Sequence, residues 1–433
     1  MNLHEANNIH FIGIGGVGIS ALARLMLFEG KKVSGTNDNE SKETLDGLRE
    51  QGVEISLDTD PENLPKADVY IYSDAWLTLN QKILEEAKKI GPTFSYFEAL
   101  GEFANDYELI AVSGTHGKTT TAAMLIDVFE EAGLDPMGIV GSLRGKTKSN
   151  FRAGKGKYFI VEADEYLRHF LNFHPKHLII TNIEEDHLDY YKDLADIQNA
   201  FNELAKRVPE DGFIICDPNN GNVKKVLEGI SGKIIDYTKF LDTHLNLKVP
   251  GEHNRKNASA VFGLARSLGA NLEEIKNGLE NFSGTWRRFE YKGKTKSGAL
   301  VYDDYAHHPS EIRATLQATR EKFPDKKIIL VFQPHLYSRT KLLFDNFAEA
   351  LLEADRVLLA PIYAAREAFD PSISHEMLAR EIRKKNGNAE AKENFEGIRQ
   401  ELENTPPNTV IITMGAGNIY EIGESLATEE NKE

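Results

Sequence analysis

The stretch ELIAVSGTHGKTTT, residues 108–121, is the most informative part of this 433-residue sequence. A short apolar strand runs into a turn of glycine, threonine, histidine and lysine, and the helical pattern TAAMLIDVFEEAGL, residues 121–134, follows it. This succession is typical of a phosphate cradle, in which backbone N–H groups and a helix N-terminus attract an anion. A glycine-lysine turn that binds nothing is the alternative, and the flanking strand and helix make it the less favoured one.

The residues of this loop suit a nucleoside triphosphate. Lys118 can reach the β- and γ-phosphates, and Thr119 can offer its hydroxyl to Mg²⁺. The loop is a variant of the standard pattern, because Val112 stands where the first glycine is expected. The residues predicted to bind the nucleotide here are Gly114, Thr115, His116, Gly117, Lys118, Thr119 and Thr120.

A second glycine pattern follows the first apolar strand. The segment GIGGVGIS, residues 13–20, has the spacing G-x-G-x-x-G, which permits a tight turn and close approach of the backbone to a diphosphate. Alone it favours a nicotinamide enzyme, for which an acidic residue is expected about twenty positions further on. The second strand ends in Asn37 and Asp38, so the sequence meets that requirement only ambiguously.

The charge and cysteine content narrow the class of protein. Lys and Arg number 51 against 67 Asp and Glu, and the net charge of -16 disfavours non-specific nucleic-acid binding. The single cysteine, Cys216, lies in an apolar strand-like run, which predicts a buried thiol and excludes an intramolecular disulfide. The start MNLHEANN does not resemble a secretion signal, and no apolar run approaches the roughly 18 residues of a membrane span. We therefore expect a cytoplasmic protein without a membrane partner.

Strand-like runs alternate with helical patterns along the chain, which predicts an α/β fold with mostly parallel sheets flanked by helices. Three blocks are expected. Residues 1–104 form a Rossmann-like block, residues 105–283 contain the phosphate loop, and residues 284–433 contain four further strands.

Acidic residues follow two strands of the middle block, in KYFIVEADE, residues 157–165, and HLIITNIEEDHLD, residues 177–189. Ligands collect beyond the carboxyl ends of parallel strands, so Glu162 is a candidate Mg²⁺ ligand together with Thr119. His187 is a candidate for orienting a phosphate or a water. Three other acids of these motifs are expected to cap helices or to face solvent, namely Glu165, Glu185 and Asp189.

Further polar motifs lie beyond the middle strands. In PGEHNRKNA, residues 250–258, amides can either cap a helix or bind an adenine edge. In WRRFEY, residues 286–291, a guanidinium from Arg287 or Arg288 could reach a γ-phosphate. Two strands of the third block end in residues that are too polar for a hydrophobic core, which predicts that they line the floor of a substrate cleft. These residues are Asp303, Asp304, Tyr305, His307, His308, His335 and Arg339.

Taken in order, these motifs resemble the Mur ligases of peptidoglycan precursor synthesis, and within them the alanine-adding branch. The resemblance spans nearly the whole chain and rests on GIGGVGIS, SGTHGKTTT, EADE, TNIEEDHLDYY, PGEHNRKNA, RRFE, DDYAHHPSE and FQPHLYSRT. It implies an N-terminal Rossmann-like domain for the UDP moiety, a central ATPase domain and a C-terminal Rossmann-like domain for the amino acid.

The resemblance also implies roles for individual residues. Lys118 and Thr119 would bind ATP phosphates and Mg²⁺, with Glu162 on the first metal ion and His187 near the second. The diphosphate of the UDP-sugar would be held by Gly13, Gly15, Gly16, Val17, Gly18 and Ser20. Adenine would be held by His253, Asn254 and Asn257, and ATP would also be contacted by Arg288 and Asp304. The amino acid or acyl group would face Tyr305, His307, His335 and Arg339.

The implied reaction uses ATP and Mg²⁺ to convert the lactyl carboxylate of UDP-N-acetylmuramate into an acyl phosphate, which L-alanine then attacks. Lys118, His187, His307, His335 and Arg339 are the predicted catalytic residues, and either His307 or His335 would assist removal of the amine proton. We expect a monomer or a weak homodimer.

Three alternatives are open at this point. A ligase that attaches the tripeptide L-alanyl-D-glutamyl-diaminopimelate is favoured by Tyr166 and Leu167, which follow the EADE motif. Many relatives carry a carbamylated lysine at about the position of Asn202. The resemblance implies that the alanine-adding branch lacks this lysine, so Asn202 agrees with that branch and counts against the tripeptide ligase. The others are a nicotinamide oxidoreductase and a non-catalytic nucleotide-binding regulator.

Overall fold

The computed structural model describes residues 3–40, 42–188, 190–241, 244–365 and 367–427. The chain forms two compact units. The first comprises Met1–Asn246 and Lys256–Phe282, and the second comprises Leu247–Arg255 and Ser283–Glu433. Among the described residues, the first unit contains two sheets and the second unit one, all mostly parallel and flanked by helices. The predicted α/β fold class is confirmed.

The first sheet is entirely parallel, in the order β3-β2-β1-β4-β5. Its strands are β1 (Asn8–Ile12), β2 (Lys32–Thr36), β3 (Glu54–Ser56), β4 (Val69–Tyr72) and β5 (Thr93–Ser95). The helices around it are α1 (Val17–Phe28), α2 (Lys42–Arg49), α3 (Trp76–Leu79), α4 (Gln81–Ile90) and α5 (Tyr96–Ala104). Strand order reverses at β1, so the glycine-rich turn that follows β1 lies at the switch point where such sheets bind ligands.

The second sheet has the order β12-β11-β10-β6-β9-β7-β8, with only the β7–β8 pair antiparallel in the described part. Its strands are β6 (Glu108–Ser113), β7 (Met137–Ile139), β8 (Phe151–Arg152), β9 (Tyr158–Glu162), β10 (His177–Ile180), β11 (Phe213–Cys216) and β12 (Lys233–Asp236). Its helices are α6 (Lys118–Glu131), α7 (Leu194–Ala205), α8 (Gly221–Val226), α9 (Glu252–Ser267) and α10 (Leu272–Asn281). Strand β6 lies between β9 and β10, so the residues after these three strands meet at one edge.

The third sheet has the order β13-β14-β18-β15-β16-β17, with β13 antiparallel to β14. Its strands are β13 (Glu290–Lys294), β14 (Leu300–Asp304), β15 (Lys327–Phe332), β16 (Arg356–Leu359), β17 (Ala389–Ala391) and β18 (Thr409–Met414). Its helices are α11 (Pro309–Lys322), α12 (Tyr337–Leu342), α13 (Phe344–Leu351), α14 (His375–Lys384), α15 (Phe395–Leu402) and α16 (Tyr420–Leu426).

The first two sheets share one hydrophobic core. A single cluster of buried side chains extends from Leu3 to Val226 in sequence and includes residues of both sheets, which explains why they form one unit. Cys216 is buried in β11 as predicted, and burial raises the pKa of its thiol to about 12. Within the described ranges, none of the helices combines the length and apolar character needed to span a membrane.

Candidate active site

The phosphate loop connects β6 to α6 and depends on two glycines. Gly117 has φ 82° and precedes the first residue of α6, and a Cβ added to it would lie 2.7 Å from Oδ1 of Asn257. Gly114 has φ 135°, and a Cβ there would lie 2.0 Å from Oγ1 of Thr181. Both positions therefore require glycine for backbone conformation and for space. The contact also brings Asn257, a predicted adenine ligand, against the loop.

Loop residues 115 and 116 are fixed by the segment that follows β10. The backbone N–H of Thr115 donates to the carbonyl of Asn182 at 3.1 Å, and that of His116 donates to Asn182 Oδ1 at 3.0 Å. Nε2 of His116 lies 3.4 Å from a carboxylate oxygen of Glu184. Thr120 is buried in the first turn of α6. These contacts hold the predicted loop in shape at the edge of the sheet.

Lys118, the lysine of this loop, points back into the loop and contacts the segment after β9. Its Nζ donates to the carbonyl oxygens of Gly114 at 2.7 Å and Thr115 at 3.2 Å. It also contacts both carboxylate oxygens of Glu165, at 2.9 and 2.8 Å. Burial alone would lower the pKa of Lys118, but the neighbouring acids, led by Glu165, raise it, so the ammonium stays charged.

The expectation for Glu165 is wrong. Its side chain is only 3% exposed and forms an ion pair with Lys118 instead of capping a helix or facing solvent. Burial raises the pKa of Glu165 in spite of the lysine beside it. The physical reason is that a buried ammonium needs a counter-charge, and Glu165 supplies it from the neighbouring strand end. Glu185 is exposed as predicted, and Asp189 lies outside the described residues.

Thr119 and Glu162 form a cluster of hard oxygen donors beside the lysine. The Thr119 hydroxyl donates to both carboxylate oxygens of Glu162, each at 2.9 Å, and the Gly141 N–H donates to the same carboxylate at 2.8 Å. A hydroxyl and a carboxylate that converge at the end of a phosphate loop match the oxygen ligands that Mg²⁺ prefers. The donor chemistry therefore fits the predicted ion.

His187 lies close to the same acids. Its backbone is in the left-handed region, with φ 53°, and its Nε2 is 3.7 Å from Oε1 of Glu165. Asp164, Glu165 and His187 bring one ligand atom each within 4.8 Å of one another, a spacing suited to a second ion. Tyr166 packs on the His187 ring, with centroids 4.7 Å apart. Tyr166 thus has a local packing role in this segment.

The N-terminal glycine loop, which is predicted to be a diphosphate site, requires glycine at position 13 and is held by Asn37. Gly13 has φ 81°, and a Cβ added to it would lie 2.3 Å from Nε1 of Trp76. The Gly15 N–H donates to Oδ1 of Asn37 at 3.1 Å. The residue at the ribose-binding position of a nicotinamide enzyme is therefore used here to hold the loop itself.

The start of α1 is packed on residues that the sequence did not single out. A Cβ on Gly18 would lie 3.0 to 3.2 Å from three atoms of the Tyr96 ring and hydroxyl. The hydroxyl of Ser20 donates to the Val17 carbonyl at 2.9 Å. Asn150, which precedes β8 in the second sheet, also contacts Val17 and Ser20. The glycine loop and the second sheet are thereby joined within the first unit.

Arg144 links Asn150 to the helix of the phosphate loop. It is 1% exposed and forms ion pairs with Asp127 and Glu130, both on α6. Its backbone N–H donates to the Ser149 carbonyl at 3.0 Å. Its Nε and Nη1 have no hydrogen-bond partner among the described residues. A buried chain of contacts thus extends from α6 to the neighbour of Asn150.

In the second unit, the arginines at positions 287 and 288 have different environments. Arg287 is 3% exposed and donates from Nε to Asp303 at 2.8 Å and from Nη1 to the Gly417 carbonyl at 2.8 Å. The expectation that Asp303 belongs to a cleft floor is wrong, because this carboxylate is fully buried by Arg287 and Thr413. Arg288 is only half-buried, and its guanidinium lies 5.0 Å from the ring centre of Tyr305.

Asp304 ends β14 and accepts two backbone hydrogen bonds. The N–H groups of Phe289 and Ala306 donate to its carboxylate at 2.7 and 2.8 Å. Burial raises the pKa of Asp304 to about 6, although Arg288 opposes the change. The carboxylate therefore orders the segment before β13 and the turn after β14 at the same time.

The predicted histidines of the third sheet do come together. The rings of His307 and His335 have centroids 6.1 Å apart, and Tyr305 lies 5.4 Å from His307. Arg339 Nη1 is 3.4 Å from Nδ1 of His335. Burial, with help from the charges of His307 and Arg339, lowers the pKa of His335 to about 3. His308 instead caps α11, with its ring accepting from the Ser310 N–H.

His253 and Asn254 lie at the start of α9. The side-chain amide of Asn254 donates to the Pro250 carbonyl at 2.7 Å, and Gly251 has φ 99° with its Cβ direction blocked by His253. The boundary between the two units falls within this helix, after Arg255. The hydrogen bond from Asn254 ties the first turn of α9 to the carbonyl that precedes the helix, and the contact of these residues with adenine stays a prediction.

Three Mur ligase family descriptions match the chain. The Mur ligase family catalytic domain matches residues 8–108, the middle domain residues 112–239, and the glutamate ligase domain residues 287–417. A protein named UDP-N-acetylmuramate--L-alanine ligase from Acetivibrio thermocellus is 40% identical, over 99% of this chain and 97% of its own length. The chain belongs to the Mur ligase family. The resemblance inferred from the motifs is confirmed.

Other Mur ligases extend the comparison. A second protein of the same name, from Caldanaerobacter subterraneus subsp. tengcongensis, is 37% identical over 100% of this chain and 99% of its own. The crystal structure of a UDP-N-acetylmuramate-alanine ligase from Thermotoga maritima matches with a TM-score of 0.80 and 29% identity, covering 97% of this chain and 98% of that one. Like its family, this Mur ligase is an ATP-dependent amide-bond-forming enzyme. The oxidoreductase and regulator hypotheses are wrong.

Three residues that contact the loops of this Mur ligase or the helix that follows were not singled out as site residues from the sequence. Glu165 could have been identified from the sequence, because a buried lysine requires a nearby counter-charge and the EADE motif offers three acids. Tyr96 and Asn150 could not, since each lies far in sequence from the loop that it contacts.

Proposed function

We propose that this Mur ligase joins L-alanine to the lactyl carboxylate of UDP-N-acetylmuramate, with conversion of ATP to ADP and phosphate. The observation that carries the proposal is one compact unit with two anion loops, the Lys118 loop after β6 and the Gly13 loop after β1. Relatives 37 to 40% identical over nearly the whole chain are named for L-alanine, which supports this amine over the tripeptide.

The chemistry explains why ATP is needed. A carboxylate resists attack by an amine because its carbon is electron-rich and oxide is a poor leaving group. A lactyl carboxylate oxygen attacks the γ-phosphorus, the bond to the β-phosphate oxygen breaks, and ADP leaves. The amine nitrogen then attacks the acyl carbon, the C–O bond breaks, and inorganic phosphate departs with the electron pair. The amine loses one proton when the amide forms.

Residues of the first unit would hold the triphosphate. Lys118 would offset the charge that develops on the β- and γ-phosphates, and the N–H groups of the loop would orient them. Thr119 and Glu162 would hold Mg²⁺, and His187 would contribute near a second ion. A bound Mg²⁺ ion would neutralise phosphate charge during transfer. Gly13, Gly15, Gly16, Val17, Gly18 and Ser20 would form the UDP-sugar diphosphate site.

Residues of the second unit would act on the amino acid and acyl group. Arg288 and Asp304 would contact ATP, and Tyr305 and Arg339 would face the amine or the acyl group. Between the two histidines, His307 is the better candidate to accept the amine proton. A ring whose pKa is lowered to about 3 is a weak base at neutral pH, which argues against His335.

We further propose roles for the larger parts of the chain. Residues 1–104 would bind the UDP-sugar, residues 105–283 ATP, and residues 284–433 the amino acid. His253, Asn254 and Asn257 would contact adenine, which is supported for Asn257 by its position against Gly117. The enzyme would act in the cytoplasm as a monomer or a weak homodimer.

The test is release of ADP and phosphate by the purified protein with ATP, Mg²⁺ and UDP-N-acetylmuramate. We expect release to depend on L-alanine and to be lost in Lys118→Ala, whereas Lys157→Ala, at an exposed lysine directly before β9, should keep it. Release only with the tripeptide L-alanyl-D-glutamyl-diaminopimelate would assign the protein to the recycling reaction. No release with either amine would refute the proposed function.

A further inference from the structure

The ammonium of Lys118 has no donor to spare for a phosphate. It faces four acceptors, which are two backbone carbonyls of its own loop and both carboxylate oxygens of Glu165, at distances of 2.7 to 3.2 Å. An ammonium group carries three N–H donors. Phosphate oxygens can therefore bind to Lys118 only if at least one of these acceptors leaves.

The carboxylate of Glu165 is the acceptor that can leave. The two carbonyls belong to Gly114 and Thr115, whose positions are fixed by the segment after β10. Glu165 reaches Lys118 from a different segment, and its side chain carries the same charge sign as a phosphate. A triphosphate that approaches Lys118 would repel this carboxylate at close range.

The backbone around Glu165 is held independently of Lys118. The Tyr191 hydroxyl donates to the Glu165 carbonyl, and the Arg168 N–H donates to the same oxygen at 2.9 Å. Release of the carboxylate therefore requires rotation of one side chain and leaves this segment in place.

We propose that Glu165 occupies the phosphate position on Lys118 in the nucleotide-free enzyme and is exchanged for a phosphate of ATP when the nucleotide binds. The proposal rests on the ATP-binding role of the Lys118 loop and adds a residue that sets nucleotide affinity. Glu165 is in this sense a positioning residue, because it acts through Lys118.

The exchange has two opposite effects on the enzyme. Without nucleotide, the pair keeps a buried lysine from being left without a counter-charge. When nucleotide binds, Glu165 competes with the phosphate for Lys118. The apparent affinity is the intrinsic affinity multiplied by the fraction of molecules in which Lys118 is available. Removal of the Glu165 carboxylate should therefore lower the stability of the nucleotide-free protein and raise its affinity for nucleotide.

The experiment compares wild-type protein with Glu165→Gln by calorimetric titration with ADP, with and without Mg²⁺. We expect Glu165→Gln to bind ADP on the order of ten-fold more tightly in the absence of Mg²⁺. In thermal unfolding, its melting temperature should fall without nucleotide and recover with saturating ADP. A purely structural role would lower both melting temperatures alike and would leave the dissociation constant unchanged.

Two further variants separate the exchange from other effects. Glu185→Gln removes the same charge from an exposed position in the loop after β10, and it should leave ADP affinity near the wild-type value. Glu165→Asp retains the charge on a shorter side chain, and its affinity should lie between those of the wild type and Glu165→Gln.

Three results would overturn the proposal: unchanged ADP affinity in Glu165→Gln, weaker affinity in Glu165→Gln, or equal tightening in Glu185→Gln. Failure of the wild-type protein to bind ADP or ATP would instead contradict the ATP-binding role of the loop. The two failures are thereby distinguished.

Discussion

The side-chain amide of Asn150 donates a hydrogen bond to the backbone carbonyl of Val17, across 133 positions of sequence. The same amide nitrogen lies 3.1 Å from Oγ of Ser20, and the amide oxygen accepts from Arg24 Nη1 at 2.7 Å. Asn150 is completely buried. One side chain that lies directly before strand β8 therefore satisfies three polar groups on the helix that follows the first glycine loop.

Replacement of Asn150 should destabilise the glycine loop and the start of α1. Asn150→Ala leaves buried polar groups of α1 without their partner, which is expected to cost roughly 2 kcal/mol of unfolding free energy. The KM for the UDP-sugar should rise as well. Urea unfolding and initial-rate kinetics measure the two effects, with Asn219→Ala, at an exposed asparagine after β11, as the control. Equal stability of the two variants would contradict the role given to Asn150.

Arg287 and Arg288 form a natural pair of test positions. Arg287→Ala leaves the buried carboxylate of Asp303 unpaired, so we expect a loss of about 3–5 kcal/mol of unfolding free energy. Arg287→Lys should not restore it, because one ammonium cannot replace a fork that reaches Asp303 and the carbonyls of Gly415 and Gly417.

Arg288→Ala should show the reverse pattern, with near-normal stability and reduced ADP formation. Thermal unfolding measures the stability of Arg287→Ala and Arg288→Ala, and the ligase assay measures their ADP formation. The assignment is refuted if Arg288→Ala is the less stable protein.

Substitutions at two threonines of α6 distinguish a role in metal binding from a role in packing. Thr119→Val removes the hydroxyl that donates to Glu162, and we expect the Mg²⁺ concentration for half-maximal ADP formation to rise about ten-fold or more. Thr121→Val removes a buried hydroxyl that has no hydrogen-bond partner among the described residues, so stability and Mg²⁺ dependence should change little. A magnesium titration in which both variants respond alike would count against Thr119 as a ligand.

His335 should contribute to acid sensitivity. Its pKa is lowered from 6.5 to about 3 in the folded protein, so the unfolded chain binds more protons between these pH values. Stability from this residue is therefore complete above pH 6.5 and is lost as the pH falls towards 3. His335→Phe retains a ring to stack on Tyr363 and removes the titration, so its unfolding midpoint should decline less steeply on acidification.

The quantity to compare between wild type and variants is the change of the unfolding midpoint with pH, between pH 6.5 and 4. His174→Gln, at an exposed histidine, serves as the control and should retain the wild-type slope. Buried His10 and His177, whose pKa values burial lowers to about 4, contribute to the slope that remains, whereas Asp304, whose pKa burial raises to about 6, opposes it. An unaltered slope in His335→Phe would exclude its contribution.

Local sequence predicted the parts of the fold that depend on local pattern. The apolar runs that end at Ile12, Ser113 and Asp304 are strands, and the glycine loops after the first two are where the spacing placed them. The meeting of Thr119 with Glu162 was predictable too, because the ends of neighbouring parallel strands share one edge.

Sequence reasoning failed where a side chain's partner comes from a distant segment. Glu165 was expected to cap a helix or to face solvent, and Asp303 to line a cleft. Only the positions of Lys118 and Arg287 show that both are buried counter-charges. Asn37 was considered only as an ambiguous match to the ribose-binding acid of a nicotinamide enzyme, whereas its amide oxygen accepts a hydrogen bond from the Gly15 N–H. In each case the chemistry of the residue was visible and its geometry was not.

The common core of the first two sheets bears on how the chain folds during synthesis. Side chains from Leu3 to Val226 belong to the same buried cluster, so the N-terminal sheet lacks part of its packing when its own last strand leaves the ribosome. More than a hundred further residues must emerge before the cluster closes. The nascent N-terminal segment therefore exposes apolar surface for much of translation, which is the situation in which chaperones bind.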